Sequence, residues 1–230
     1  MTTRPFMRAA WAVVPVKRFD RAKTRLAEVL SPGERRDLAR AMLADVFDAL
    51  GETGGLNGVV VVTCDAEASA MAQARGFEAI ADPEEAGVNA AVSIGLRHVT
   101  GRGGAALVAP ADIPFVSAAE IGQALFALVA TPVAVAPAAR DGGTNILAMA
   151  SADLMKPAFG RDSAARHVAC ARALGIEPAV LRLAGASRDI DTAADLADLG
   201  LVGAPRTRAC LAGSAARAWS PVGRMERAAQ

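Results

Sequence analysis

The chain has 230 residues, 53% of them hydrophobic, with a formal net charge of +1 and three cysteines. That is enough apolar material for one domain, or one domain and a tail, with a core that needs no disulfide or metal staple. The near-neutral balance excludes a global basic field, so no nucleic-acid partner is expected and any charge effect must be local.

Arg4 and Arg8 precede an apolar run, but it is short, contains Pro15 and lacks a small-residue cleavage site, so it does not read as a secretory signal. No apolar segment approaches the ~18 residues a membrane helix needs. Cys64, Cys170 and Cys210 are isolated, an odd count with no CxxC pair, and read as buried free thiols in a reducing cytoplasm.

Ala10–Val16 reads as the first strand. Directly after it come Lys17, Arg18, Arg21, Lys23 and Arg25, with Asp20 among them. Ser31-Pro32-Gly33-Glu34 is a capping box with proline at the first helical position, so a helix begins there. Leu38, Met42, Leu43, Val46, Phe47 and Leu50 keep helical spacing. Gly58–Thr63 is a continuous apolar strand of the kind buried on both faces of a parallel sheet. A helix over Ala66–Arg75 and a short strand over Phe77–Ala81 come next. Val88–His98 is helical, Ala105–Ala109 is a strand, and Ser117–Val129 is a helix opened by the Ser117 and Glu120 pair. Pro132–Pro137 and Asn145–Ala150 are strands, Ser163–Leu174 a helix, Ala179–Leu183 a strand and Thr192–Leu199 a last helix. From Ala204 on, the chain turns Ala/Arg-rich, with five arginines against one glutamate. It reads as a poorly ordered tail, partly helical at most, after a domain spanning 1–203.

Strand and helix alternating this way predict an α/β fold with a mostly parallel sheet flanked by helices. Ligands in such sheets bind outside the carboxyl ends of the strands, so the residues just past each strand matter most. After the first strand comes the basic loop. Its Lys and Arg suit phosphate oxygens, though a solvated loop would look the same and there is no GxxxxGK[ST] sequence. Asp112, in "PADIPF", stands at a strand end where a carboxylate can hold a divalent cation, or simply form a turn. Asp189 and Asp191 alternate, so on extended chain both point to one side and need a positive partner between them. Thr192 and Asp195 offer a competing capping role.

"RDGGTNIL" (140–147) combines backbone that can approach an anion with a strong hairpin signal. "FGRDSAARH" (159–167) puts Ser163 at a helix N-terminus, which is an anion site or an ordinary serine cap. His167 falls one turn further and reads as structural rather than as a catalytic base. With two histidines in the chain there is no Ser-His-Asp or Cys-His set.

Taken together, "PVKRFDRAKTRL", "GVNAAV", "APADIPF", "RDGGTNIL", "FGRDSAARH" and "DIDTAADL" resemble the 2-phospho-L-lactate guanylyltransferase family of coenzyme F420 biosynthesis. The likeness spans residues 10–201. The resemblance implies a Rossmann-like nucleotide-diphospho-sugar-transferase fold and transfer of GMP from GTP to a small phosphorylated acid, with release of pyrophosphate. Acceptors in the family are 2-phospho-L-lactate, phosphoenolpyruvate and 3-phospho-D-glycerate. It further implies Mg2+ on Asp112, Asp189 and Asp191, and GTP phosphates on Lys17, Lys23 and Arg25. Gly87, Asn89 and Asp112 would serve the nucleotide, and Gly143, Thr144, Asn145, Gly160 and Ser163 the acceptor. Lys17, Lys23, Arg25 and Asp112 would be the catalytic set. A soluble cytoplasmic enzyme is expected, and relatives allow a homodimer. Val88 stands where relatives carry leucine. Arg161 and Asp162 stand where they often carry small residues or proline, which bears on acceptor choice.

Three rival readings compete with this one. A glycosyltransferase would match "DID" as its Asp-X-Asp, but that motif normally comes after a middle strand. A molybdopterin or sugar-phosphate nucleotidyltransferase would carry a glycine-rich loop after the first strand, which this chain lacks. A non-catalytic nucleotide-binding protein would not need all three aspartates.

Overall fold

The computed structural model describes residues 10–197 and 202–213. Among these residues seven strands form one sheet: β1 (Ala10–Val16), β2 (Leu56–Thr63), β3 (Glu78–Ala81), β4 (Ala105–Val108), β5 (Val133–Pro137), β6 (Thr144–Met149) and β7 (Ala179–Val180). Their order is β3-β2-β1-β4-β6-β5-β7. β1 pairs in parallel with both β2 and β4, and β2 with β3. β6 alone among them runs against its neighbours, antiparallel to β4 and β5. The strand order reverses between β1 and β4, which opens a crevice at the carboxyl ends of those two strands.

The described residues hold seven α-helices: α1 (Pro32–Glu52), α2 (Ala66–Gln73), α3 (Val88–Thr100), α4 (Ala118–Ala127), α5 (Ser163–Ala173), α6 (Ala193–Ala197) and α7 (Pro205–Gly213). The period-2 alternation of β1 feeds both faces. Ala12, Val14 and Val16 join the core with Leu38, Met42 and Phe47 of α1, Ile121 of α4 and Leu211 of α7. Val13 faces the other way, to Val92 and Leu96 of α3 and Ala164 of α5. Both helix starts that the sequence marks most strongly form complete capping boxes, Ser31 with Glu34 and Ser117 with Glu120.

Several expectations shift. β7 is confined to Ala179–Val180 rather than reaching Leu183. Leu181 still donates its N–H to Val135, but the chain then leaves the sheet to carry the acidic segment inward. The last predicted helix is seen as Ala193–Ala197, and its far end at Leu199 lies outside the described residues. Within the segment read as a tail, α7 is a packed helix. Ala204, Thr207 and Leu211 are buried, and the buried carboxylate of Asp45 on α1 takes the N–H groups of Arg206 and Thr207. Arg206 also pairs with Asp48. The tail beyond Gly213 lies outside the described residues. The cysteines carry free thiols, but Cys170 is exposed and Cys64 and Cys210 are half-buried.

Gly95 shows how tightly α3 meets the sheet. A Cβ there would lie 2.4 Å from Cγ1 of Val13 and 3.1 Å from Cγ2 of Val62. Val13 and Val62 are themselves fully buried, so neither can retreat. Gly33, in the first turn of α1, has nothing within 4 Å of a Cβ. Gly95→Ala is therefore expected to lower stability by about 1–3 kcal/mol in denaturant titration, against its gain in helix propensity. Gly33→Ala should raise stability by up to ~1 kcal/mol.

Candidate active site

The crevice between β1 and β4 holds the chemistry. Asp112 comes after β4, and Asp189 and Asp191 arrive on extended chain before α6. The Ile190 N–H donates to the Asp112 carbonyl at 3.2 Å, which fixes one aspartate segment against the other. Alternation does the rest, turning Asp189 and Asp191 to one side.

Two cations knit the carboxylates together. Lys23 Nζ donates to Asp112 Oδ2 at 2.8 Å and to Asp191 Oδ1 at 2.7 Å. Arg140 Nη2 donates to Asp189 Oδ2 at 2.7 Å and to Asp191 Oδ2 at 2.9 Å. Arg25 lies at 3.6 Å from Asp191. The Lys23 side chain is 6% exposed, and its backbone sits in the left-handed region at φ 53°. A non-glycine residue is held there only when its surroundings over-determine it, and such strain gathers at functional positions.

This packing sets the electrostatics. Burial works against charge on Lys23, but Asp112 and Asp191 outweigh it and raise its pKa above the ordinary lysine value. Burial likewise opposes charge on Arg140, and Asp189 and Asp191 reverse the effect. The two neighbouring aspartates part company. Burial, with Asp112 close by, raises Asp189 despite Arg140. Burial would also raise Asp191, but Lys23 and Arg140 together hold it below the usual carboxylate range.

The sequence had no explicit place for Arg140. The available signal was the need of three converging carboxylates for counter-charge, with an arginine just before the Asp-Gly-Gly turn. Among the described residues no three Asp, Glu, His or Cys side chains are grouped closely enough to hold a metal ion as they stand. The donor set is nonetheless hard carboxylate oxygen, the type that suits Mg2+. The oxygens a cation would take are those now bound to Lys23 and Arg140.

A cavity of about 650 Å³ opens beside this cluster, lined by Lys17, Lys23, Arg25, Asp112 and Asp191 and running on to Gly87. The basic loop between β1 and α1 forms two short 3-10 turns, Phe19–Arg21 and Thr24–Leu26. Asp65, the N-cap of α2, anchors it by accepting the Phe19 N–H at 2.9 Å. Asn89, expected near the nucleotide, follows Gly87 and Val88 of the cavity wall. Its amide is spent in both directions on Phe159, donating to the carbonyl at 3.1 Å and accepting the N–H at 2.7 Å. The amide therefore clamps the loop before α5 onto α3.

The five residues expected at the acceptor lie on the β5–β6 hairpin and on the segment entering α5. The glycine stretch is a hairpin turn joining β5 to β6, as Asp-Gly favours. It is also locked to the loop before α5. Asp162 donates its N–H to the Asp141 carbonyl, and Ala164 donates to Gly142. Gly142, at φ +66°, would bring a Cβ to 3.0 Å from Asp162 Oδ1. Ser163 is not the cap of α5; Asp162 is, in the left-handed conformation, and Ser163 turns inward. The Ser163 and Gly143 N–H groups, which an anion would need, go instead to the Gly160 carbonyl and to Asp141 Oδ1. Asn145 donates to the Ala186 carbonyl at 2.9 Å and so ties β6 to the chain leading into Asp189.

Behind the hairpin lies a closed polar network. Ser163 Oγ and Thr144 Oγ1 are 3.0 Å apart, and Thr144 Oγ1 is 2.9 Å from His167 Nδ1. The Ala158 N–H donates to His167 Nε2 at 3.0 Å. Nε2 is thus an acceptor, so the ring proton sits on Nδ1 and donates to Thr144. Burial, with Arg166 adjacent, lowers the His167 pKa from 6.5 to about 4.

A family model described as "Guanylyl transferase CofC like" matches residues 10–210. A phosphoenolpyruvate guanylyltransferase of Sphaerobacter thermophilus is 40% identical over 189 residues, covering 82% of this chain and 91% of that one. A 3-phospho-D-glycerate guanylyltransferase of Phenylobacterium zucineum is 36% identical, covering 83% and 89%. A 2-phospho-L-lactate guanylyltransferase of Methanothermobacter thermautotrophicus is 33% identical, covering 84% of each. Among solved structures, one from Desulfovibrio desulfuricans G20, assigned to the nucleotide-diphospho-sugar transferases, superposes with a TM-score of 0.74 at 19% identity, covering 92% of this chain and 98% of that one. That last likeness establishes the fold.

The His167 network has a pH signature. The folded state holds the ring neutral, whereas the unfolded chain takes up a proton below about 6.5. The stabilisation is therefore complete above pH 7 and is lost as pH falls toward 4. The stability difference between the wild type and His167→Gln is expected to shrink across that window, by about 3 kcal/mol. Denaturant unfolding at a series of pH values measures it, and a difference that does not vary with pH would refute the assigned protonation state.

Proposed function

The chain belongs to the CofC-like guanylyl transferase family, and from that premise we propose that it transfers GMP from GTP to the phosphate of a small phosphorylated acid in coenzyme F420 biosynthesis. The observation that carries this reading is the convergence of Asp112, Asp189 and Asp191 around Lys23 and Arg140, beside a cavity large enough for a nucleotide. The acceptor class is that of the relatives, whose names specify phosphoenolpyruvate, 3-phospho-D-glycerate and 2-phospho-L-lactate.

The transfer balances without a general base. A phosphate oxygen of the acceptor attacks the α-phosphorus in line. The bond from that phosphorus to the bridging oxygen breaks, and pyrophosphate leaves with the electron pair. The acceptor is already ionised at neutral pH, so no proton need move. What remains is positioning and neutralisation of charge. Lys17 and Arg25, exposed on the basic loop, meet the triphosphate. Lys23 is held between Asp112 and Asp191 in the nucleotide-free chain, and its ammonium reaches phosphate only by giving up one of them. Asp112, Asp189 and Asp191 would hold Mg2+, which supplies charge neutralisation on the transferred phosphoryl oxygens when bound. The Thr144–Ser163 hydroxyl pair, held by His167, is buried behind the hairpin and would shape the acceptor end from within. The enzyme is read as acting in the cytoplasm; no helix among the described residues is long and apolar enough to cross a membrane.

The direct test is pyrophosphate release from GTP and Mg2+ with each of the three acids offered separately. One acid is expected to support turnover, and Asp112→Asn to abolish it. Lys23→Ala should lower kcat/KM for GTP by about 100- to 1000-fold with the fold retained. Folded protein that releases no pyrophosphate with any of the three acids would overturn the acceptor class. Undiminished turnover in Lys23→Ala would overturn the role of the loop.

A further inference from the structure

The cavity spans the carboxyl ends of four adjacent strands. Asp112 comes after β4, Lys17 after β1, Cys64 after β2 and Asp82 after β3, and all four line it. In the order β3-β2-β1-β4, neighbouring strands lie about 4.8 Å apart, so the ends of β4 and β3 are roughly 14 Å from each other. Cations and carboxylates crowd the β1 and β4 end. After β2 and β3 the lining carries Cys64, Asp82 and Glu85, and the cavity wall also includes the apolar Met42, Val88 and Ala91. A nucleotide with its phosphates at the charged end would lay its base at the other.

One carboxylate of this lining stands out. Asp82 is 8% exposed, and its Oδ1 is closed from solvent with no hydrogen-bond partner. Buried carboxylate oxygens are rarely left so. Asp45, the other buried carboxylate among the described residues, accepts two backbone N–H groups. Asp65, at the end of the neighbouring strand, accepts three. Asp82 opens the turn at Pro83, where an aspartate ordinarily bonds the backbone two residues on, yet its Oδ1 makes no such bond. The other acid lining this end, Glu85, is paired with Arg21 at 3.2 Å.

We propose that Asp82 reads the base, its carboxylate accepting the N1–H and 2-amino hydrogens of guanine. The assignment rests on the use of a guanine nucleotide proposed above. An ionised carboxylate only accepts. Guanine presents two adjacent donors on its Watson–Crick edge, N1–H and the 2-amino group, whereas adenine and cytosine each present one donor beside an acceptor and uracil one donor between two acceptors. Two parallel N–H groups meeting two carboxylate oxygens is the forked geometry that makes arginine–carboxylate pairs selective. The Asp χ2 torsion is soft and no hydrogen bond holds Oδ1, so a turn of the carboxylate would bring it to face such a pair.

The test compares kcat/KM for GTP, ITP, XTP and ATP under one acceptor. ITP lacks the 2-amino group, and XTP carries a carbonyl in its place. Wild type should prefer GTP to ITP by about 100-fold, since a site built around a donor rejects the analogue lacking it. Asp82→Ala should erase that ratio. Asp82→Asn, which keeps one acceptor and offers an N–H to the xanthine carbonyl, should lose GTP use by a similar factor and gain XTP. Both variants should melt no lower than wild type, because they remove an unpartnered buried charge. Wild type using GTP and ITP equally would overturn the proposal without recourse to any variant, as would variants that keep the wild-type ratios. Wild type preferring ATP would instead overturn the guanine reading of the whole site, and this inference with it.

Discussion

Three carboxylates brought to one point repel unless positive charge stands among them, and the active end of this fold is arranged around that requirement. Asp112, Asp189 and Asp191 come from two distant parts of the chain and meet where the strand order reverses. Lys23 and Arg140, from two further segments, each bridge two of them. Four segments are thereby pinned to one locus. The result is visible in the backbone: Lys23 adopts a left-handed conformation, and the chain after Val180 leaves the sheet early.

The remaining structure supports this cluster by stiffness. The carboxyl ends of β1 and β4 cannot drift because both strands are buried on both faces, and α3 approaches closely enough that Gly95 has no room for a side chain. The β5–β6 hairpin is held from two sides, by Asn145 on Ala186 and by the backbone bonds between Gly142, Asp141 and the start of α5. Arg140 rides on this hairpin. Its grip on Asp189 and Asp191 is therefore coupled to the Thr144–Ser163–His167 network a few residues away, and the two halves of the site share one rigid frame.

Local signals were the most legible in the sequence. Ser31 with Glu34 and Ser117 with Glu120 announce two helices because capping is a bond between residues three apart. The apolar run of β2 and the alternation of Asp189 with Asp191 are readable for the same reason. Features that depend on distant contacts were not. Asp45 caps α7 across 161 residues of sequence, so a helix in an Ala/Arg-rich segment read as tail. Asn89 and Ser163 carry the right chemistry for ligands, yet both turn inward toward the protein, to Phe159 and Thr144. Arg140 was in view as part of a turn motif, but its partners lie about 50 residues downstream.

The charge balance of the cluster bears on what it can bind. Around Asp112, Asp189 and Asp191 stand Lys23, Arg140 and, more loosely, Arg25, so in the nucleotide-free chain the locus is close to neutral. A triphosphate arriving there would meet three carboxylates whose cations are already engaged. Transferring Lys23 or Arg25 to the phosphates leaves the aspartates uncompensated; leaving them in place leaves the phosphates so. Neither arrangement is stable in a half-buried site, where unpaired charge is costly. On the proposed function, a divalent cation entering with the nucleotide would supply the missing positive charge, with Asp112, Asp189 and Asp191 as the residues that would hold it. The salt bridges of Lys23 and Arg140 hold the carboxylates together in the nucleotide-free chain, and on that reading they would give way as nucleotide and metal enter. On the proposed function, ion pairing within the protein and catalysis by charge neutralisation are two states of the same cluster.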